Sequence, residues 1–168
     1  LTRTTGRTAG IYTEIKDPLW HRRHGVDLSK LVLAELRAFG YSRSGDPAFV
    51  QCFDAAELAR LKTELDCPFP LIQLVGPEAE YGELLMAAGL RSLSAHAYGL
   101  GPHYSQIVAA EEGRRPRPAE LAHRARDVGL RVHAYTFRRD DLPPYARTLE
   151  ELLELFFVDA AVDGVFSD

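Results

Sequence analysis

The 168-residue sequence predicts an α/β fold, an incomplete piece of a (β/α)8 TIM barrel, on three observations. Short apolar runs alternate with amphipathic helical stretches along the chain, the pattern of parallel strands joined by right-handed crossovers. No glycine follows the first strand in "TEIKDPLW", where an open doubly wound sheet usually carries a phosphate loop. Polar residues recur at strand ends: Glu14 and Lys16, Gln51 and Asp54, Gln73, Tyr135 and Arg138, then Asp168. Polar strand ends facing one mouth are a barrel property.

Six strands are expected, from "GIYTEI", "AFVQCF", "PLIQLV", "AYGLG", "RVHAYTF" and "DGVFS". A complete barrel needs eight, so two are missing. Asp27 caps a helix whose stripe is Leu28, Leu31, Val32, Leu36 and Phe39, ending before Gly40. Asp54 with Glu57, and Thr148 with Glu151, are capping-box pairs that start two more helices. "GELLMAAG" reads as a short helix, and Pro118 as a first-turn residue before Leu121, Ala125 and Val128, with Gly129 as the stop.

Length suits a single domain spanning 1–168. Apolar content of 46% and charged content of 26% are those of an ordinary globular protein. A net charge of -4 excludes the basic footprint of a nucleic-acid binder. No apolar run is long enough to span a bilayer, and "LTRTTGRTAG" lacks the features of a signal peptide. Cys52 and Cys67 form no framework and are expected as free thiols.

Glu14 and Lys16 lie two residues apart and so share one face of a strand. At a barrel mouth the carboxylate can ligate a divalent cation and the ammonium can hold a phosphate oxygen. A structural ion pair is the alternative. Gln51 shares a face with Phe53 and can contact a ligand or serve as a satisfied buried amide; Asp54 is an N-cap. "GLGPHY" ends in a Gly-Pro turn, with His103 and Tyr104 opening a loop. "VHAYTFR" places His133, Tyr135 and Phe137 on one face, and Arg138 follows where it can grip an anion bidentately. His21 and His24 read as solvated loop residues, and the remaining histidines show no metal-ligand spacing.

"GIYTEIK", "VQCFDAAELARLK", "LIQLV", "GLGPHY", "VHAYTFRRDDLP" and "DGVFSD" occur in that order. Together they resemble the later part of the glycerophosphodiester phosphodiesterases, in particular the bacterial periplasmic type, over residues 10–168. The resemblance implies a (β/α)8 barrel, of which these six would be about strands three to eight, that cleaves a small-molecule glycerophosphodiester to glycerol 3-phosphate and an alcohol, with a divalent cation (Ca2+ or Mg2+) at its mouth. It implies a metal-ligating role for Glu14 and a phosphate-contacting role for Lys16. Tyr135 falls where many relatives line the substrate pocket with tryptophan, and Arg138 follows in the "YTFR" form of the periplasmic subgroup. A periplasmic or secreted location follows from the same subgroup.

The family's His-Arg-Gly motif, its Glu-x-Asp metal pair and its second histidine precede the strand where this sequence begins. No acid/base catalytic residue is therefore expected within it, and these residues by themselves are expected to be inactive. The two open sheet edges predict oligomerisation across them or association with the missing piece. Two other readings stand beside the enzyme: a non-catalytic barrel module that binds a phosphorylated ligand or partner chain, and a Schiff-base role for Lys16.

Overall fold

The computed structural model describes residues 6, 10–110 and 116–168. Most of the N-terminal run, whose lack of signal-peptide features was noted above, lies outside the described residues. The chain divides into two compact units, Leu1–Gln73 and Leu74–Asp168.

In the first unit, β1 (Ile11–Glu14), β2 (Ala48–Cys52) and β3 (Leu71–Val75, whose last two residues belong to the second unit) pair in parallel. The register sets Tyr12 opposite Phe49 and Glu14 opposite Gln51, while Cys52 pairs with Gln73. Side chains alternate between faces, so Tyr12, Glu14, Phe49 and Gln51 share one face and Ala48, Val50, Cys52 and Gln73 the other. All four residues of that second face are fully buried. Gln73 is thus turned away from the face that carries Glu14, contrary to its place in the expected ring of mouth residues. Its amide donates to Phe53 O at 2.8 Å. Gly10 opens β1 because a Cβ there would meet Pro47 O at 2.8 Å.

Three helices accompany these strands: α1 (Pro18–Arg23), α2 (Leu28–Ala38) and α3 (Ala55–Thr63). Two caps are as expected, with Asp27 Oδ1 accepting from Lys30 N and Asp54 Oδ1 from Glu57 N at 3.0 Å. Helix α1 is a correction, since it contains His21 and is closed by His24, both expected on a loop. Its start is an Asp-Pro step, with Pro18 supplying the fixed φ that suits a first turn.

Glu57 is the second departure. Its carboxylate does not complete a capping box but is buried, accepting from Ser29 Oγ and Arg60 Nη1, each at 2.6 Å. Arg22 lies 3.2 Å from its other oxygen, and Arg60 also grips Asp27. One carboxylate thereby gathers residues of all three helices.

In the second unit, the end of β3 is followed in the sheet by β4 (Gly99–Pro102), β7 (Arg131–Phe137) and β8 (Gly164–Ser167). Helices α4 (Ala87–Ser94), α5 (Leu121–Asp127) and α6 (Leu149–Glu154, continued by a π-helical turn Leu155–Asp159) connect them. A short antiparallel ribbon of β5 (Val108–Ala109) and β6 (Arg117–Pro118) was not anticipated. Pro118 lies in this ribbon and not in the first turn of α5, which starts three residues later. Within "GELLMAAG", only the last three residues are helical, because turns and a 3-10 segment (Ala79–Tyr81) occupy the preceding stretch.

The six strands expected in the main sheet are all present. Gly129, with φ of 84°, stops α5 by adopting the left-handed conformation that glycine takes without steric cost. Thr148 Oγ1 accepts from Glu151 N at 3.1 Å, as expected of an N-cap. The core includes Leu100, Val132, Ala134, Phe137 and Phe156, with the two phenylalanine rings edge-to-face at 4.7 Å.

Glu57→Ala is expected to lower stability by about 1–3 kcal/mol in urea unfolding, because Ser29 Oγ and Arg60 Nη1 lose their buried carboxylate partner while Arg60 keeps Asp27. The Arg60 hydrogen bond holds Asp27 below its ordinary pKa of 3.8. That contribution is present above the unfolded-state value and is lost as pH falls through the lower, folded one. Stability should therefore fall on acidification through and below about pH 4, and less steeply in Asp27→Asn.

Candidate functional site

Where β1 ends, the chain passes through Asp17, whose φ of 47° lies in the left-handed region that Asp tolerates better than most residues. This bend swings the backbone from the strand into α1. A cavity of about 300 Å³ opens at the bend, lined among others by Glu14, Lys16, Trp20, Cys52, Phe53 and Asp54. Its walls are the end of β1 with the start of α1, and the end of β2 with the cap of α3.

Lys16 Nζ donates to Glu14 Oε1 at 2.9 Å, so the pair expected to share a face does meet. The lysine side chain is 73% exposed and the glutamate 23%. An ion pair this open contributes little to stability, because water solvates both partners. An accessible ammonium is available to an anionic ligand. Ile15 between them is buried.

Gln51 does not line the cavity but stands level with Glu14 on the adjacent strand, on the same face. The residue is only 7% exposed, and among the described residues its Oε1 has no hydrogen-bond donor.

The thiol of Cys52 is fully buried, donates to Ile15 O at 3.2 Å, and is pushed up to about 12 by burial. Burial also raises Cys67. Both cysteines are free, as expected.

Tyr135 and Arg138 lie in the second unit. Tyr135 Oη donates to Val75 O at 3.0 Å, and the same carbonyl accepts from His103 N. His103 bridges to Tyr135 and is followed by a 3-10 turn at Tyr104–Gln106. Gly101-Pro102 is therefore strand and not the expected turn. An irregularity in the β7–β8 register between Ala134 and Phe137 also breaks strict alternation. Phe137 consequently shares the burial of Val132 and Ala134, while His133 and Tyr135 are half-buried. Arg138 is held bidentately by Asp140, Nε to Oδ1 at 3.1 Å and Nη2 to Oδ2 at 2.8 Å.

Among the described residues no group of three His, Cys, Asp or Glu side chains is placed to hold an ion. Glu14 alone falls short of the six to eight oxygens that a hard cation such as Ca2+ takes. No helix in the described residues is long and apolar enough to cross a membrane.

A parallel strand–helix alternation with polar residues at a strand's C-terminal end is the arrangement of a (β/α) barrel, whose functional side chains gather at that end. Residues 3–168 match the model of the glycerophosphoryl diester phosphodiesterase family, and the chain belongs to that family. It is 30% identical over 190 residues to the glycerophosphodiester phosphodiesterase of Treponema pallidum, covering 100% of this chain and 53% of that protein. For the Haemophilus influenzae glycerophosphodiester phosphodiesterase the identity is 29%, covering 100% of this chain and 52% of the other. The chain thus spans about half the length of the curated relatives it matches.

A crystal structure from Silicibacter pomeroyi, assigned to the glycerophosphoryl diester phosphodiesterases, superposes with a TM-score of 0.67. It is 18% identical, with 99% of this chain and 49% of that one covered. A second, from Agrobacterium tumefaciens and likewise assigned, gives a TM-score of 0.61 at 17% identity over 95% and 53% of the two chains. The fold is that of an incomplete (β/α)8 barrel.

Residue-type reasoning missed α1 and with it Trp20, which is 56% exposed on the cavity wall. The Asp17-Pro18 step was the available signal for that helix. Burial of Cys52 and Cys67 predicts that a thiol reagent such as DTNB labels neither in the folded protein and both after unfolding. Rapid native-state labelling of Cys52 would contradict the packing described.

Proposed function

We propose that the protein to which these residues belong hydrolyses glycerophosphodiesters to glycerol 3-phosphate and an alcohol in a metal-dependent reaction. In that reaction water adds to phosphorus and the phosphorus–oxygen bond to the leaving alcohol breaks. The observation that carries the reading is the Glu14–Lys16 pair at 2.9 Å, opening on a cavity at the end of a parallel strand. Family membership supplies the class of chemistry.

In this reading Lys16 binds a non-bridging phosphate oxygen, and Glu14 orients the ammonium and contributes one oxygen to a divalent cation, Ca2+ or Mg2+. Completing the cation's shell and transferring protons require groups beyond those described, so these 168 residues alone are expected to be inactive. The half-buried face that carries Tyr12, Glu14 and Phe49 suits closure by further barrel strands or by a second copy. Tyr135 is assigned to the substrate pocket, as is Arg138, which must release Asp140 to take up an anion. A periplasmic or secreted location completes the reading.

A non-catalytic phosphate-binding module is the second reading, favoured by the lack of a three-residue metal cluster among the described residues.

The test is release of glycerol 3-phosphate from glycerophosphocholine by the full natural chain, with and without added divalent cation. Activity that is abolished by chelation and lowered at least about a hundredfold in Glu14→Gln supports the enzyme. Lys16→Ala should lower kcat/KM by about tenfold or more, through loss of a charge-assisted contact to phosphate. Unchanged turnover in Glu14→Gln would contradict the site, and ligand binding without turnover would favour the module.

A further inference from the structure

The short helix α1 turns an apolar corner out to water. Leu19 is 43% exposed and Trp20 56%, and Val26, just past the helix, is 40% exposed. With about 3.6 residues per turn, Arg23 falls between Leu19 and Trp20 on the helix surface, and it too is exposed. The other side of the helix faces inward: Pro18 is buried, His21 is half-buried and Arg22 reaches Glu57 at 3.2 Å.

Single exposed apolar side chains are ordinary, but these three lie close together in sequence and among cations. Residues 16–26 hold Lys16, Arg22 and Arg23 against one carboxylate, Asp17, whereas the chain as a whole carries a net charge of -4. Glu14 holds Lys16 and Glu57 holds Arg22, so the cation set between the two apolar side chains is Arg23. An aliphatic side chain, an indole and a guanidinium side by side match the boundary between acyl chains and anionic headgroups. Tryptophan settles at that depth, and arginine keeps its charge in the polar layer above its apolar stem.

We propose that the outer face of α1, formed by Leu19, Trp20 and Arg23, docks the protein reversibly on an anionic lipid surface. A glycerophosphodiester is what remains of a phospholipid once its acyl esters are hydrolysed, so the reaction that supplies this substrate class works at a bilayer. The choice of a lipid over a protein partner therefore rests on the phosphodiesterase reading, while the exposure and the charge stand without it. Two apolar side chains and one arginine fall well short of a permanent anchor, so the contact is weak and salt-sensitive.

The experiment sediments the full natural chain with vesicles of phosphatidylcholine alone and of a phosphatidylcholine–phosphatidylglycerol mixture. Partition onto the anionic vesicles is expected to exceed that onto the neutral ones by about tenfold and to fall as salt is raised. Arg23→Glu reverses one charge and should remove most of that preference while leaving glycerophosphocholine turnover unchanged. Leu19→Ser combined with Trp20→Ser should lower partition onto the anionic vesicles by about tenfold or more. All three side chains are exposed, so the variants should keep the parent's thermal midpoint.

Absence of binding to either vesicle, equal binding to the two, or partition untouched by both variants overturns the proposal and leaves the phosphodiesterase reading standing. Self-association that the Leu19 and Trp20 changes abolish assigns the face to a second copy, and that result also overturns the lipid assignment. Vesicle binding by a chain that releases no glycerol 3-phosphate upholds the docking face and sinks the phosphodiesterase reading.

Discussion

A carboxylate shielded from water organises the first unit. Glu57 is 1% exposed, and the groups that satisfy it come from every helix there: Arg22 from α1, Ser29 from α2 and Arg60 from α3. Burying a charge is costly unless it is paired and hydrogen-bonded, so the helices are constrained to arrive together or not at all. The cavity inherits this constraint. Trp20 lies two residues before Arg22 in the same helix, and Asp54 caps the helix whose first turn contains Glu57. The same anion therefore fixes both walls of the space into which Lys16 projects.

Against that rigid wall, Glu14, Lys16 and Gln51 are placed by register alone. Parallel pairing aligns Glu14 with Gln51 and sends Cys52 and Gln73 to the buried side. A one-residue slip of β1 would put Ile15 in the place of Glu14, an apolar-for-charged exchange that the buried face would not accept. Sheet register and ligand chemistry are thus specified by one alternation of side chains.

Much of this was legible in the residues, for physical reasons that differ by element. All six strands of the main sheet were readable because each is a short apolar run bounded by turn residues, and the caps at Asp27, Asp54 and Thr148 because their side-chain oxygens serve local backbone. Glu14 and Lys16 were readable as a pair because period two is a local rule. Glu57 was read as a capping partner because its interaction with Arg22 and Ser29 is long-range, spanning 28 residues in the latter case. Phe137 escaped the alternation rule through a register irregularity with β8 that no local pattern announces. Arg138 was legible as an anion-gripping residue, but Asp140, two positions on, is the partner it holds.

Trp20 has a use that its place on the cavity wall creates. It is the chain's single tryptophan, and its indole lies against His24 with ring centroids 4.2 Å apart and the planes tilted by 31°. Every photon of indole emission therefore originates at one known point, on the wall of the cavity that Lys16 also lines. Water leaving the cavity shifts that emission to the blue. The chain thus carries a built-in optical reporter of its own cavity, read without a label.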